Sequence, residues 1–208
     1  METLLTQIWY ISLIAVIGDF LVCYILALFY PRYNHTKQVM SVLGCSNSPV
    51  RKVYNLWLVI LGVFMIFFGV SLYVRYEDVS KPLAIMAMNI LVLYGIGGCI
   101  LSGIFSVSET KGMETVAERV HGIAAGVGFM SLAFMPLIVS LLYFKLNRTV
   151  IGISSIAVFV LTIVLFIVFV MSEKERFTGT VIGKSGLWQR LLLGCMYTPL
   201  LIIGIDNL

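Results

Sequence analysis

The stretch FYPRYNHTKQVMSVLGCSNSPVRK, from Phe29 to Lys52, decides how this chain is read. It is the longest polar interruption in an otherwise apolar sequence. It leaves one apolar run at Tyr30-Pro31, carries Arg32, Lys37, Arg51 and Lys52 among the fourteen Lys and Arg residues, and gives way to a second run at Val53. Pro31 ends a helix and biases Tyr30 toward extended backbone. Ser46-Asn47-Ser48-Pro49 is turn chemistry, and Gln38 to Leu43 leaves room for one helical turn between them.

Working outward, the chain is 60% hydrophobic and only 12% charged, with a mean hydropathy of +1.03. Soluble globular domains carry roughly a quarter charged residues. A 208-residue domain in water has no means of hiding this much apolar surface. Six runs are long enough to supply the ~20 apolar residues that cross a ~30 Å hydrocarbon core. They fall at about 8–29, 53–74, 83–107, 118–143, 151–171 and 187–205. The expected fold is therefore all-α, a single polytopic bundle of six transmembrane helices spanning residues 1–208 with no second domain. The first run reads as a spanning helix and not as a cleaved signal peptide, because Met1 to Gln7 has no Lys or Arg and the apolar stretch is too long. The four cysteines show no C-x-x-C and no metal spacing. The net charge of +4 is spread over loops, which suits anionic lipid head groups and speaks against nucleic acid.

The loops between runs 1–2, 3–4 and 5–6 share one side. That side holds Arg32, Lys37, Arg51, Lys52, Lys111, Arg119, Lys174, Arg176, Lys184 and Arg190; the other holds Arg75, Lys81, Lys145 and Arg148. Short loops obey the positive-inside bias, so the charge count places the first side in the cytosol.

Chemistry concentrates at that same end. Asp19 interrupts the first run eleven residues before Tyr30, about 16 Å below the surface at 1.5 Å per residue. Carboxylates at that depth face a bundle interior and mark ligand, proton or ion contacts. His35 and Ser41 lie in the Phe29–Lys52 loop with Tyr33. The loop between runs 3 and 4, SETKGMETVAERVH, brings Glu109, Glu114, Glu118 and His121. Glu114, Glu118 and His121 stand at i, i+4 and i+7, one face of a helix that begins early. Carboxylate and imidazole together suit general acid–base work, which makes Glu109, Glu114 and His121 the catalytic candidates. Two histidines are too few for a zinc site, so no metal is expected, and the sequence names no cofactor. Arg190, a turn inside run 6, suits an anion, and Tyr197 lies level with Asp19. Asp19, Tyr33, His35, Ser41, Arg190 and Tyr197 are thus the ligand-binding candidates. Small residues Gly98 and Ser102 in run 3, with Gly122/Gly126 and Ala124/Gly128 in run 4, predict a close helix pair. Arg75-Tyr76-Glu77-Asp78 reads as a solvated charged turn.

Five short pieces carry a family resemblance: Pro31-Arg32-Tyr33, Ser41-Val42-Leu43-Gly44, Gly103-Ile104-Phe105, His121-Gly122 and Gly186-Leu187-Trp188-Gln189-Arg190. In this order, over about 160 residues, they resemble the bacterial membrane-protein family known as domain of unknown function number 998. That family is similar to the wider group containing the damage-regulated autophagy modulators. The resemblance implies a six-helix bundle in a bacterial plasma membrane, without an assigned activity, and motif loops facing outside, opposite to the charge count. Many members have a second His one turn after His121; this chain has Ala125 there.

Three functions follow as expectations. The first is a pocket at one membrane face that binds or acts on a lipid head group or another amphiphilic small molecule, with membrane lipids as partners. The second is a small proton- or cation-coupled transporter using Asp19. The third is a non-catalytic regulatory partner of another membrane protein.

Overall fold

A computed structural model describes residues 2–106 and 115–207. Among them the chain is helical, and five runs are long and apolar enough to cross a membrane. We label the helices α1 (Glu2–Ala27), α2 (Arg51–Ile104), α3 (Val116–Leu132), α4 (Met135–Lys145), α5 (Thr149–Ser172) and α6 (Ser185–Asp206). The loop after α1 carries one 3-10 turn at Met40–Gly44, close to the single turn expected there.

Predicted runs 2 and 3 are one helical stretch, α2, that doubles back on itself. Ser80 adopts extended backbone (φ −164°, ψ 98°) just before Lys81-Pro82. Proline has no N–H to give and its ring crowds the preceding turn, so an unbroken helix does not run through Pro82, which instead falls in the first turn of the second leg. The two legs then run antiparallel, as three close approaches show. A Cβ on Gly103 would lie 2.7 Å from the Asn55 oxygen, one on Gly62 2.5 Å from the Gly95 oxygen, and one on Gly69 3.0 Å from the Met88 oxygen. Helical geometry in the first leg continues past Tyr76, which is 2% exposed. The charged turn expected at Arg75–Asp78 is therefore part of a packed helix, and the chain turns only afterwards.

The second leg ends in a π-helical stretch, Tyr94–Leu101. Its wider turn brings residues four apart closer to one stripe than an α-helix does. Tyr94, Gly98 and Ser102 accordingly line the same wall of a cavity. This stretch meets α3 at near backbone contact. A Cβ on Gly97 would be 2.5 Å from the Ala124 oxygen, and one on Gly128 2.5 Å from the Gly98 nitrogen. The expected close pair exists, but it uses the Ala124/Gly128 face; a Cβ on Gly126 would meet nothing within 4 Å. These glycines are taken up by helix contact and leave no slot for an acyl chain between them.

α3 starts with a capping box: the Thr115 Oγ1 accepts from the Glu118 N–H, and the Glu118 carboxylate accepts from the Thr115 N–H at 2.8 Å. This satisfies two orphan donors at the helix start. α3 and α4 are separated by a break at 133–134, with Pro136 in the first turn of α4. Contacts close the bundle as a ring, α1 on α2, α2 on α3 and α4, α4 on α5, α5 on α6 and α6 on α1. The core is set by Leu61, Phe68 and Leu72 of α2 and by Leu192, Met196, Leu200 and Ile203 of α6. α5 buries little and presents Ile153, Val160, Val164 and Ile167 outward. Exposed aliphatic rows of this kind suit contact with lipid tails.

Candidate functional site

The Phe29–Lys52 loop does not wave over the bundle; it is stitched to the start of α6. Gly186 lets the loop backbone touch the helix, since a Cβ there would collide with the Gln38 and His35 oxygens. The Leu187 N–H donates to the Thr36 oxygen at 2.9 Å, and the Ser185 hydroxyl to the Lys37 oxygen at 3.0 Å. The Met40 N–H donates to Gln189 Oε1 at 2.6 Å. The loop carbonyls thus satisfy donors that a helix start leaves unpaired.

Arg190 closes the seam. It is 8% exposed. Nη1 donates to the carbonyls of His35 (2.7 Å), Gln38 (3.1 Å) and Gly186 (2.8 Å). Nη2 donates to the Tyr33 hydroxyl at 2.8 Å and lies 3.3 Å from His35 Nδ1. The Tyr33 hydroxyl passes its own proton to the Val39 oxygen at 3.1 Å. Both terminal nitrogens of Arg190 therefore point at the loop. Burial lifts the Tyr33 phenol above its ordinary range, offset in part by Arg190. Burial also lowers the His35 imidazole, helped by the Arg190 charge. Tyr33, His35 and Arg190 form one cluster, separate in role from the groups beneath.

Those deeper groups surround Asp19, which is 2% exposed. Its Oδ1 accepts from Trp57 Nε1 at 3.3 Å and its Oδ2 from the Tyr197 hydroxyl at 3.1 Å. The Tyr197 and Tyr94 hydroxyls are themselves hydrogen-bonded, so Asp19, Tyr197 and Tyr94 make a continuous chain across α1, α6 and α2. No Lys or Arg pairs with Asp19 among the described residues. A carboxylate accepts about four hydrogen bonds, so two donors leave capacity over.

His121, 7% exposed, serves first as a helix-end cap. Its Nδ1 lies 2.8 Å from the Phe105 oxygen and 3.1 Å from the Ser102 oxygen, two carbonyls at the end of α2. Two carbonyl acceptors require a proton on Nδ1, which makes Nε2 the acceptor of the neutral ring. Among the described residues Nε2 has no hydrogen-bond partner. The same holds for the Ser41 hydroxyl and for Gln189 Nε2.

These groups meet at a half-open cavity of about 70 Å³. Asp19, Ser41, Tyr54, Ser102, His121 and Gln189 supply its polar lining, and Leu58, Phe129 and Leu193 its apolar side. Of the expected site residues, the structure brings Asp19, Ser41 and His121 to this cavity, with Tyr197 hydrogen-bonded behind Asp19. Tyr33, His35 and Arg190 hold the loop beside it. Glu109 and Glu114 lie outside the described residues. Glu118 shares a helix with His121, but its carboxylate caps the start of α3. Among the described residues no three His, Cys, Asp or Glu side chains group as a metal site.

Sequence reasoning missed Trp57, Tyr94 and Gln189. An indole N–H inside a membrane protein needs an acceptor, and for Trp57 the Asp19 carboxylate is that acceptor. Gln189 was visible beside Arg190. Only the fold shows that its amide spans loop and cavity.

The five motif pieces are joined in space. Tyr33 meets Arg190, Phe105 meets His121, and Asn55 links Gly44 (3.4 Å) to Ser106 (2.9 Å) beside the Gly103–Phe105 piece. No curated protein and no solved structure matches the chain. A family model described as "Protein of unknown function (DUF998)" matches residues 13–206, and the chain belongs to that family.

Proposed function

We propose that this protein crosses a bacterial plasma membrane six times and binds the polar head of a lipid or another amphiphile in the Asp19–His121 cavity. The two legs of α2 count as two crossings in this reading, because each is long enough to span alone and they lie antiparallel. One observation carries the binding role: a buried carboxyl, an imidazole nitrogen, a hydroxyl and an amide with unused hydrogen-bonding capacity line one cavity beside an apolar wall. Sites for small molecules combine an apolar lining with a few convergent polar groups in this way. Arg190 acts here as the residue that holds the loop over the site. For chemistry on the bound head, Glu109, Glu114 and His121 are the acid–base candidates, of which His121 lines the cavity and Glu109 and Glu114 lie outside the described residues.

The chain Asp19–Tyr197–Tyr94 favours a second reading, proton carriage. It ranks lower because a relay needs polar groups through the full depth, and Leu61, Leu72, Leu200 and Ile203 fill the core with no exposure. Asn89, a polar residue of the second leg of α2, is exposed on the outside of the bundle.

The test is native mass spectrometry from a mild neutral detergent. Ala125 lines the cavity, so Ala125→Phe fills it from α3. Wild type is expected to retain a lipid or amphiphile that Ala125→Phe loses while melting as a folded protein. Equal retention by both proteins overturns the assignment of the cavity.

A further inference from the structure

We infer that the cavity is selective for a primary ammonium group, an inference that rests on the amphiphile-binding reading and specifies the chemistry of the head. The first observation is the sign of the lining. Asp19, Ser41 and His121 present a carboxyl, a hydroxyl and an imidazole Nε2, and among the described residues no Lys or Arg lines the cavity. The fixed cation nearby, Arg190, has both terminal nitrogens turned to the loop carbonyls and to Tyr33 and His35. An anionic head would meet acceptors with no counter-charge; a cationic one would meet the unpaired Asp19. A buried carboxylate without a cation is costly, and a bound ammonium relieves that.

The second observation is the wall itself. Tyr54, Tyr94 and Phe129 contribute aromatic rings beside Asp19. Aromatic faces attract ammonium ions, and an aromatic cage with a carboxylate is a recurring way of holding one.

The third is the match in number. A primary ammonium has three donors and no acceptor, and Asp19, His121 Nε2 and Ser41 Oγ are among the acceptors that line the cavity, enough to take all three. A quaternary ammonium engages the rings and the charge but leaves those acceptors unpaired, and an unpaired buried acceptor weakens binding. Primary over quaternary is thus the specificity the lining encodes. Gln189 Nε2, a donor without a partner among the described residues, suits an oxygen next to the amine-bearing carbon.

The experiment measures equilibrium binding to the purified full chain in a neutral maltoside detergent, read by the fluorescence of Trp57, whose indole bonds to Asp19. The other tryptophans, Trp9 and Trp188, are replaced by Phe. The probes are dodecylammonium, dodecyltrimethylammonium, dodecyl phosphate and the short soluble amine butylammonium. Dodecylammonium is expected to bind saturably and at least tenfold more tightly than the trimethyl and phosphate probes. Asp19→Asn is expected to lose at least tenfold, and Ser41→Ala, a gentler change on the loop, several-fold. Dodecyl phosphate binding as well as dodecylammonium overturns the ammonium assignment while leaving the amphiphile reading in place. So does unchanged dodecylammonium binding by a folded Asp19→Asn and Ser41→Ala. Butylammonium binding as tightly as the dodecyl compound supports the ammonium site but makes the ligand a free amine and overturns the amphiphile reading. Binding of none of the four overturns both.

Discussion

Arg190 makes five polar contacts from two nitrogens, and three of them go to backbone carbonyls. Its planar fork suits this, whereas a lysine ammonium presents three donors from a single point. Arg190→Met removes charge-assisted bonds worth about 1.5–3 kcal/mol each, so a loss of about 3 kcal/mol or more is expected. Thermal melting in detergent measures it, with Arg190→Lys falling between wild type and Met. His35 beside it makes the loop sensitive to acid. Its imidazole titrates below the ordinary value, because of burial first and the Arg190 charge second. Nδ1 accepts from Arg190, and the rings of Tyr24 and Tyr33 flank the imidazole, so Arg190 is the charged group facing it. A lowered folded pKa means the unfolded chain binds the proton more readily. The His35 contribution is therefore complete above about pH 6.5, the unfolded value, and is lost as pH falls through the folded value. Melting temperature should drop between pH 7.5 and 5, and His35→Asn should flatten that drop; an equally steep drop in the variant removes His35 as its source.

At the scale of elements, the contact between the π-helical turn of α2 and α3 depends on which glycine meets which backbone. Gly128 lies against Gly97 and Gly98 with no room for a methyl group, while Gly126, half a turn away, faces open space. Overpacking a tight contact costs ~1–3 kcal/mol. Replacing glycine by alanine on a free helix face gains up to ~1 kcal/mol. Gly128→Ala is therefore expected to lower the melting temperature and to weaken ligand binding, because the shifted helices carry Ser102 and His121. Gly126→Ala should leave melting unchanged or raise it. A reversal of that order would mean that α3 presents its other face. The break at Ser80 belongs to the same scale. Lys81-Pro82 ends one leg and starts the next, and the antiparallel return follows from the glycine pairs that let the legs touch.

At the scale of the molecule, the two ends of the bundle are closed by different means. One end has the Arg190 seam over the cavity. The other has an ion pair, Arg148 to Asp206 at 2.8 Å, joined by Tyr143 to Asp206 (3.0 Å). Beside it Arg75 bonds to Asn207 (2.6 Å), and Asn207 in turn to Tyr76 (2.9 Å). This clasp ties the end of α6 to the ends of α4 and of the first leg of α2. On the proposed six-crossing reading, these two ends lie on opposite sides of the bilayer. The uneven distribution of Lys and Arg predicts that the cavity end faces the cytosol, against the outward-facing loops that the family resemblance implies. Single cysteines at Asn34 and Glu77, in a background lacking the four native ones, test it. An impermeant thiol reagent on intact cells is expected to label the second and not the first. Labelling of Asn34 alone reverses the orientation, and labelling of both overturns the six-crossing reading.

Membrane character and helical class were legible in composition alone, because apolar run length is a one-dimensional property that needs no knowledge of partners. The ends of most helices followed from the same property and from proline, although the Arg75–Asp78 helix did not: charge there signalled solvent, and only packing put Tyr76 inside. The polar residues also stood out one by one. Their partners did not, since hydrogen bonds between Arg190 and the carbonyls of His35 and Gln38 join positions more than 150 apart along the chain. Folding alone decided that Arg190 holds a loop, that His121 caps the end of α2 through Nδ1, and that Trp57 reaches Asp19. A guanidinium, an imidazole or an indole takes its role from the geometry of whatever neighbours it, and helix packing is what sets those neighbours.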